Sequence, residues 1–294
     1  MHLFIALDME QENATPEEIV ASTHATARRF RTPCGDAQMD WHVWDGVEPV
    51  VLLHGGMGSW MHWIRNVPAL ARKFMLLVPD MPGHMESALP PEPYTPESIA
   101  AILMQGINEI IGPSRHFSVV GFSFGAAIGG HVARLAGSRA RMLVLVSPGG
   151  LGLPRGETQR LHRWRDLESA SERRAALARN LQISMIADPS HADDLGVFIH
   201  SESVQRAKLV SAPVSLSGTL QGCLPQVCSR LAGIWGADDP SSSPYMAERL
   251  EFFHRIQPGA ITTVITGASH WVQYEAANRF NVKLSEILTE AEPA

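Results

Sequence analysis

A serine between two glycines is the residue of this chain best suited to act as a nucleophile. Residues 121–125 read Gly-Phe-Ser-Phe-Gly, follow the apolar, β-rich run 117–120, and lead into a helix-forming stretch of small residues. In that setting a G-x-S-x-G pattern places the serine on a strained strand-to-helix turn that exposes its hydroxyl, and glycines avoid collisions on either side. We therefore predict Ser123 as the nucleophile. The N–H of Phe124, at the helix N-terminus, is predicted to stabilise an oxyanion.

A serine hydroxyl is a weak nucleophile near pH 7, so it needs a base within hydrogen-bonding distance. His270 follows the last predicted strand and is the candidate, because imidazole titrates near neutrality. A carboxylate must then hold the imidazole in one tautomer and stabilise its charged form. Asp238 and Asp239 both follow the preceding predicted strand. The Gly-x-x-Asp spacing from Gly236 favours Asp239, with Asp238 as the alternative.

The run His54-Gly55-Gly56, after an earlier predicted strand, is expected to supply a second oxyanion donor. Glycines let the chain bend there, so the Gly56 N–H is predicted to point at the substrate beside the N–H after the serine. The loop 80–84 has too few ligands for a metal site, and we expect neither a metal nor a cofactor. The apolar residues predicted to line the substrate pocket are Phe122, Met57 and Trp271.

Short apolar runs that alternate with helical patterns must position these residues. Gly35-Asp36 is predicted as a turn between two early strands. Buried strands are predicted at 49–53, 74–78, 117–120, 141–146, 231–235 and 260–266, and helices at 60–73, 95–111, after Ser123 and at 272–288. This order predicts an α/β fold with a mostly parallel, doubly wound sheet and ligands at the carboxyl ends of its strands. In the predicted helix 60–73, the residues expected to pack in the core are Trp60, Trp63, Ile64 and Val67.

The predicted domain organisation is a core with one insertion. Residues 1–30 are expected to form a polar, helix-prone N-terminal arm. The core is assigned to 31–152 and 223–294. Residues 153–222 lack buried strands and are predicted to form a helical cap over the site, with helix content from about 155.

Composition narrows the class of protein and its partners. The chain has 294 residues, 45% hydrophobic and 18% charged, which suits a globular protein with a large core. A net charge of -6 without a basic block argues against nucleic acid or an anionic membrane as partner. The opening ten residues fit neither a signal peptide nor a membrane span. We expect a small-molecule substrate and leave homo-oligomerisation open. Three cysteines without zinc or redox spacing indicate reduced thiols in a cytoplasmic protein: Cys34, Cys223 and Cys228.

Together these stretches resemble the α/β-hydrolase-fold serine hydrolases. The likeness covers most of the chain outside the arm and the middle of the cap, and it runs through VVLLHGG, VPDMPGH, VVGFSFGAAIGG, VLVSPGGLG, IWGADDP and GASHWVQYE. The resemblance implies the fold of that family. It also implies a triad in the chain order serine, aspartate, histidine.

Two stretches, 147–152 and 270–275, further resemble hydrolases that cleave carbon–carbon bonds in ring-fission products of aromatic compounds. Those enzymes carry a cap arginine for a substrate carboxylate, and Arg206 is the predicted counterpart. They often have cysteine where this chain has Ser269, and Met85 replaces a glycine of their Gly-His-Gly-x-Ser pattern. Ester hydrolases of the same fold share the tail around the histidine, so the resemblance leaves both branches open.

We therefore expect a cofactor-independent serine hydrolase that acts on a small to medium apolar ester or an activated ketone. The first alternative is carbon–carbon bond hydrolysis of a ring-fission product. The second, from another class, is a non-catalytic small-molecule receptor on the same scaffold, because a fold does not by itself determine function.

Overall fold

The computed structural model describes residues 14–290, and an eight-stranded sheet runs through them. Its strands are β1 (Arg28–Cys34), β2 (Ala37–Trp44), β3 (Glu48–Leu53), β4 (Phe74–Pro79), β5 (Phe117–Phe122), β6 (Ala140–Val146), β7 (Arg230–Gly236) and β8 (Ile261–Ile265). Their order across the sheet is β1-β2-β4-β3-β5-β6-β7-β8. Strand β2 is antiparallel to β1 and β4, and the other pairs are parallel. The predicted mostly parallel α/β sheet is confirmed.

The central strands are apolar because helices cover both faces of the sheet. Every residue of β4 and β5 is buried. Alternate side chains of β3 enter opposite clusters of the core, with Val51 and Leu53 in one and Val50 and Leu52 in the other. The functional loops therefore project from a rigid layer at the carboxyl ends of the strands.

The helices alternate with these strands and several begin at side-chain caps. Thr15, Thr95 and Ser169 each form a capping box with the residue three positions later. The α-helices are α1 (Pro16–Ala25), α2 (Val67–Leu70), α3 (Pro96–Ile111), α4 (Phe124–Ala136), α5 (Ala170–Ser184), α6 (Asp194–Arg206), α7 (Ala212–Ser215), α8 (Thr219–Cys223), α9 (Met246–Ile256), α10 (Val272–Glu275) and α11 (Ala277–Thr289). Short 3₁₀ turns lie at Trp60–Trp63, Gly137–Arg139, Pro189–His191, Leu224–Gln226 and Ser243–Tyr245.

Two predicted helices are each interrupted. The predicted helix 60–73 consists of a 3₁₀ turn followed by α2, because Pro68, in the first turn of α2, lacks the N–H that a continuous helix would need there. The predicted helix 272–288 is divided at Ala276 into α10 and α11. The stripe predicted to pack in the core is buried as expected: Trp60, Trp63, Ile64 and Val67.

Residues 153–222 lie between β6 and β7 and contain helices α5 to α7 and all of α8 except its last residue, Cys223. Helix begins only at Ala170, where Ser169 supplies the cap, so the predicted helix content from residue 155 was wrong for its first part. Helices α5 and α6 pack on each other, while α7 and α8 pack on α4. The predicted N-terminal arm falls partly on residues 1–13, outside the described residues. Of the helices within 14–290, none has the length and apolar character needed to cross a membrane.

Candidate active site

Ser123 occupies the sharp turn between β5 and α4. Its backbone has φ 52° and ψ −112°, a region that only a well-supported turn sustains. The Ser123 N–H donates to the Val146 carbonyl at 2.9 Å, and the Gly149 N–H donates to the Ser123 carbonyl at 3.0 Å. A Cβ on Gly121 would lie 2.3 Å from the Gly125 carbonyl oxygen, so the turn has no room for a side chain there.

His270 lies between the serine and one of the two predicted aspartates. Its Nε2 is 3.0 Å from Ser123 Oγ, and its Nδ1 is 2.8 Å from Asp239 Oδ2. With Nδ1–H donating to the carboxylate, Nε2 accepts the hydrogen bond of the hydroxyl. The three side chains can thus pass the serine proton to the imidazole.

Asp239 is fully buried, whereas Asp238 is exposed. The backbone N–H and hydroxyl of Ser241 donate to Asp239 Oδ1 at 2.9 and 2.8 Å. Burial acts to raise the pKa of Asp239, but the charge of His270 and the hydrogen bonds from His270 and Ser241 outweigh it and lower the pKa to about 2. The carboxylate beside His270 is therefore ionised at neutral pH and belongs to Asp239.

Gly56 and Phe124, the predicted oxyanion donors, lie next to each other. A Cβ built on Gly56 would be 3.6 Å from the Phe124 Cβ. Phe124 is the first residue of α4, where backbone N–H groups lack a helical acceptor. Within residues 14–290, neither N–H donates a hydrogen bond to a protein group. The same Cβ would lie 2.1 Å from the hydroxyl of Ser211, a neighbour that no sequence pattern indicated.

The two aromatic residues predicted to line the pocket, Phe122 and Trp271, are both fully buried. Phe122 has no exposed surface, and its ring centroid is 5.1 Å from that of His270. Trp271 is equally buried, and its indole N–H donates to the His62 carbonyl at 3.0 Å. Met57, the third predicted residue, is 45% exposed and has φ 52°. Met57 alone of these three presents much surface to solvent.

Arg206 pairs with carboxylates and lines a cavity that Ser123 and His270 do not line. Its guanidinium pairs with the carboxylate of Glu86 and lies 3.9 Å from that of Glu202. These residues line a cavity of about 250 Å³ whose lining includes neither Ser123 nor His270. Two carboxylates thus hold the side chain that was predicted to bind a substrate carboxylate.

Two further histidines near the site escaped the sequence analysis. His62 Nδ1 accepts the Gly55 N–H at 3.2 Å. Burial, followed by repulsion from His200 and other histidines, lowers the pKa of His62 to about 3. Burial also lowers the pKa of His200 to about 4, so both imidazoles are neutral at pH 7. Among 13 histidines, no motif singled these two out. Over residues 14–290, no group of three or more His, Cys, Asp or Glu side chains is arranged to hold a metal ion.

The sequence of this chain is similar to those of known proteins. The Alpha/beta hydrolase family profile matches residues 50–282. A dihydrolipoyllysine-residue acetyltransferase component of the acetoin cleaving system from Pseudomonas putida is 27% identical over 254 residues, which cover 83% of this chain and 64% of that protein. The chain thus spans less than two thirds of that relative's length.

A second relative is matched over nearly its whole length. The 2-hydroxy-6-oxononadienedioate/2-hydroxy-6-oxononatrienedioate hydrolase 1 of Dechloromonas aromatica is 25% identical over 290 residues, with 90% of this chain and 96% of that protein covered. Among solved structures, the meta-cleavage product hydrolase from Pseudomonas fluorescens superposes with a TM-score of 0.72 at 20% identity, covering 91% of this chain and 100% of that one. At that identity the structural likeness shows the fold alone.

Proposed function

This chain belongs to the alpha/beta hydrolase family, and we propose that it is a cofactor-independent serine hydrolase that cleaves uncharged esters of small to medium size. The observation that carries the proposal is the hydrogen-bonded row from Ser123 through His270 to Asp239. A base in contact with a hydroxyl, itself oriented by a carboxylate, is the arrangement that activates a serine nucleophile.

In the proposed mechanism Ser123 Oγ attacks the ester carbonyl carbon while its proton passes to His270 Nε2. The N–H groups of Gly56 and Phe124 hold the oxyanion. The tetrahedral intermediate collapses, His270 returns the proton to the leaving alcohol, and an acyl-enzyme remains. Water then attacks the acyl carbon while His270 Nε2 takes its proton. The second tetrahedral intermediate collapses, His270 returns that proton to Ser123 Oγ, and the carboxylic acid leaves. Asp239 keeps the imidazole in one tautomer throughout.

The charges around the site favour a substrate without a carboxylate. Arg206 is held by Glu86 and Glu202, and His62 is neutral at pH 7. Arg249, which interacts with Asp239, donates to backbone carbonyls, including that of Ser241 at 3.1 Å. To pair with a substrate carboxylate, Arg206 or Arg249 would first have to leave its present partners. An ester with an apolar acyl group can bind without a cationic partner.

We propose that residues 153–222 act as a cap over this site. Support comes from two contacts: Ser211 lies against Gly56, and the Met185 carbonyl accepts the N–H of Trp271 at 2.8 Å. The cap then closes on both the oxyanion donors and the loop that carries His270. The core of this arrangement is 31–152 and 223–294.

Carbon–carbon bond hydrolysis is the second candidate. The observation that favours it is the relative from Dechloromonas aromatica, which is matched over 96% of its length and is named as a hydrolase of 2-hydroxy-6-oxononadienedioate and 2-hydroxy-6-oxononatrienedioate. Such a substrate carries carboxylates. For this reaction the guanidinium of Arg206 would have to leave Glu86 and pair with a carboxylate of the substrate.

A panel of p-nitrophenyl esters and ring-fission dienoates tests the proposal. We expect ester turnover that Ser123→Ala abolishes and that Ser138→Ala, at an exposed serine after α4, leaves unchanged. Turnover confined to dienoates would select the second candidate. No turnover and no labelling of Ser123 by a fluorophosphonate would remove both.

A further inference from the structure

The carboxylate of Glu275 joins the loop that carries His270 to the 153–222 segment. Its Oε2 accepts the N–H of Ser269, the residue before His270, at 2.6 Å. Its Oε1 accepts the N–H groups of Ala187 and Asp188 at 2.9 and 2.8 Å. The side chain has no exposed surface. A buried carboxylate is tolerated only while its oxygens are paired, so both sides of this contact are needed.

A second connection lies on the other side of His270. The N–H of Trp271 donates to the carbonyl of Met185 at 2.8 Å. The residues immediately before and after His270 are therefore both tied to the short stretch 185–188, one directly and one through Glu275. Movement of this stretch would release both ties together.

The loop keeps anchors to the core that do not depend on Glu275. The Asp238 N–H donates to the Ala268 carbonyl at 2.9 Å, and His270 itself contacts Asp239 at 2.8 Å. Loss of the Glu275 contacts is therefore expected to loosen the loop near Ser269 without unfolding it. His270 Nε2 would then meet Ser123 Oγ in a smaller fraction of molecules.

We propose that Glu275 is a positioning residue that makes the orientation of His270 depend on closure of the 153–222 segment over the site. With 185–188 docked, Glu275 holds the loop so that His270 faces Ser123. With 185–188 displaced, the loop loses both ties to that stretch, and His270 contacts Ser123 in a smaller fraction of molecules. Glu275 touches no reacting atom, and the inference rests on the proposed function of Ser123 and His270.

Glu275→Gln is the variant that tests this coupling. The amide has the same shape, but its NH₂ cannot accept a hydrogen bond, so it serves either Ser269 or the pair Ala187 and Asp188, not both. We expect kcat for a p-nitrophenyl ester and the rate of fluorophosphonate labelling to fall at least about tenfold, with KM changed less than about threefold. The control is Glu286→Gln, which alters an exposed carboxylate paired with Lys283 and should change neither rate.

Hydrogen exchange followed by mass spectrometry supplies a readout of the coupling itself. In Glu275→Gln, peptides covering 185–188 or 267–271 should exchange faster while those from β5 do not change. In the wild type, covalent labelling of Ser123 by a fluorophosphonate should protect both peptides together. The second measurement does not depend on the folding of the variant.

The possible outcomes distinguish failure of this inference from failure of the proposed function. Faster exchange at 185–188 with an unchanged labelling rate would reduce Glu275 to an anchor of the segment and overturn the proposal. Protection of one peptide without the other in the labelled wild type would also overturn it. If the wild type neither labels nor hydrolyses esters, the proposed function itself fails, and the inference fails with it.

Discussion

Asp239 Oδ2 lies 2.8 Å from His270 Nδ1. This contact determines which nitrogen of the imidazole faces Ser123, because the proton that Nδ1 donates to the carboxylate leaves Nε2 free to accept. The side chain of the neighbouring Asp238 is exposed, while its N–H donates to the Ala268 carbonyl and its carbonyl accepts the Ser269 hydroxyl. Of the two adjacent carboxylates, it is therefore that of Asp239 that orients the imidazole towards Ser123.

Asparagine substitution at each of these aspartates should give unequal effects. Asp239→Asn is expected to lower kcat for a p-nitrophenyl ester by about 10³- to 10⁴-fold, since an amide neither stabilises the imidazolium nor enforces the tautomer. Asp238→Asn is expected to stay within about threefold of the wild type. Steady-state kinetics of both variants test this expectation. Comparable decreases in kcat would contradict it and show that both carboxylates assist His270.

The turn at Ser123 should not tolerate a methyl group at its first glycine. A Cβ on Gly121 would lie 2.3 Å from a backbone oxygen that cannot move away, so Gly121→Ala is expected to cost at least about 2 kcal/mol of unfolding free energy. Gly222→Ala is the control, because nothing lies within 4 Å of its added Cβ. Urea unfolding of the two variants compares them, and equal stabilities would contradict the account of the turn.

Stability is expected to fall as the solution becomes acidic, in part because of His42. Burial, then repulsion from Arg29 and His24, lowers the pKa of His42 to about 3 from its usual 6.5. Between those two pH values the unfolded chain binds a proton that the folded chain does not, so the free energy of unfolding decreases as pH falls from 6.5 towards 3.

Replacing His42 removes this contribution, which is on the order of a few kcal/mol over the full window. His42→Gln should therefore show a shallower decline of unfolding free energy between pH 7.5 and 5 than the wild type. His116→Gln, at an exposed position, should keep the wild-type slope. Urea titrations at several pH values provide the test. The comparison uses slopes, because loss of the stacking of His42 on Trp60 lowers stability at every pH.

Arg206→Ala distinguishes the two candidate reactions. Because its guanidinium is paired with Glu86 and lines a cavity that Ser123 does not line, ester hydrolysis should keep kcat/KM within about threefold of the wild type. Lys208→Ala, which removes an exposed cation two residues after the end of α6, serves as a charge-matched control. A large loss of dienoate turnover in Arg206→Ala alone would instead show that this arginine reaches the substrate.

Much of the fold follows from continuous apolar runs. Strands β3 to β8 lie within a few residues of their predicted positions. For β3 to β7 the reason is burial on both faces, which requires a largely apolar strand, whereas β8 is an edge strand in which only Ile265 is buried. Ser123, Asp239 and His270 meet because each follows a strand whose carboxyl end lies at the same edge of the sheet. The G-x-S-x-G motif nominated Ser123 and the position after the last strand nominated His270, while only the Gly-x-x-Asp spacing favoured Asp239 over Asp238.

Contacts between residues distant in sequence could not be predicted in the same way. No local pattern pairs Arg206 with Glu86, 120 residues earlier, or brings Ser211 against Gly56. The sequence HWVQYE suggested a subclass, but it gave no role for Glu275. That role follows from the three backbone N–H groups that donate to its carboxylate. Such pairings depend on how the 153–222 segment docks, which periodicity does not encode.

The most direct measurement is the reaction of a fluorophosphonate with the wild type and with Ser123→Ala, followed by intact-mass analysis and p-nitrophenyl ester kinetics. The wild type should gain one adduct on Ser123 and hydrolyse the ester. Ser123→Ala should gain none and lose several orders of magnitude in turnover. A variant that still hydrolyses the ester at the wild-type rate, or a wild type that labels at another residue, would contradict the assignment of Ser123 as nucleophile.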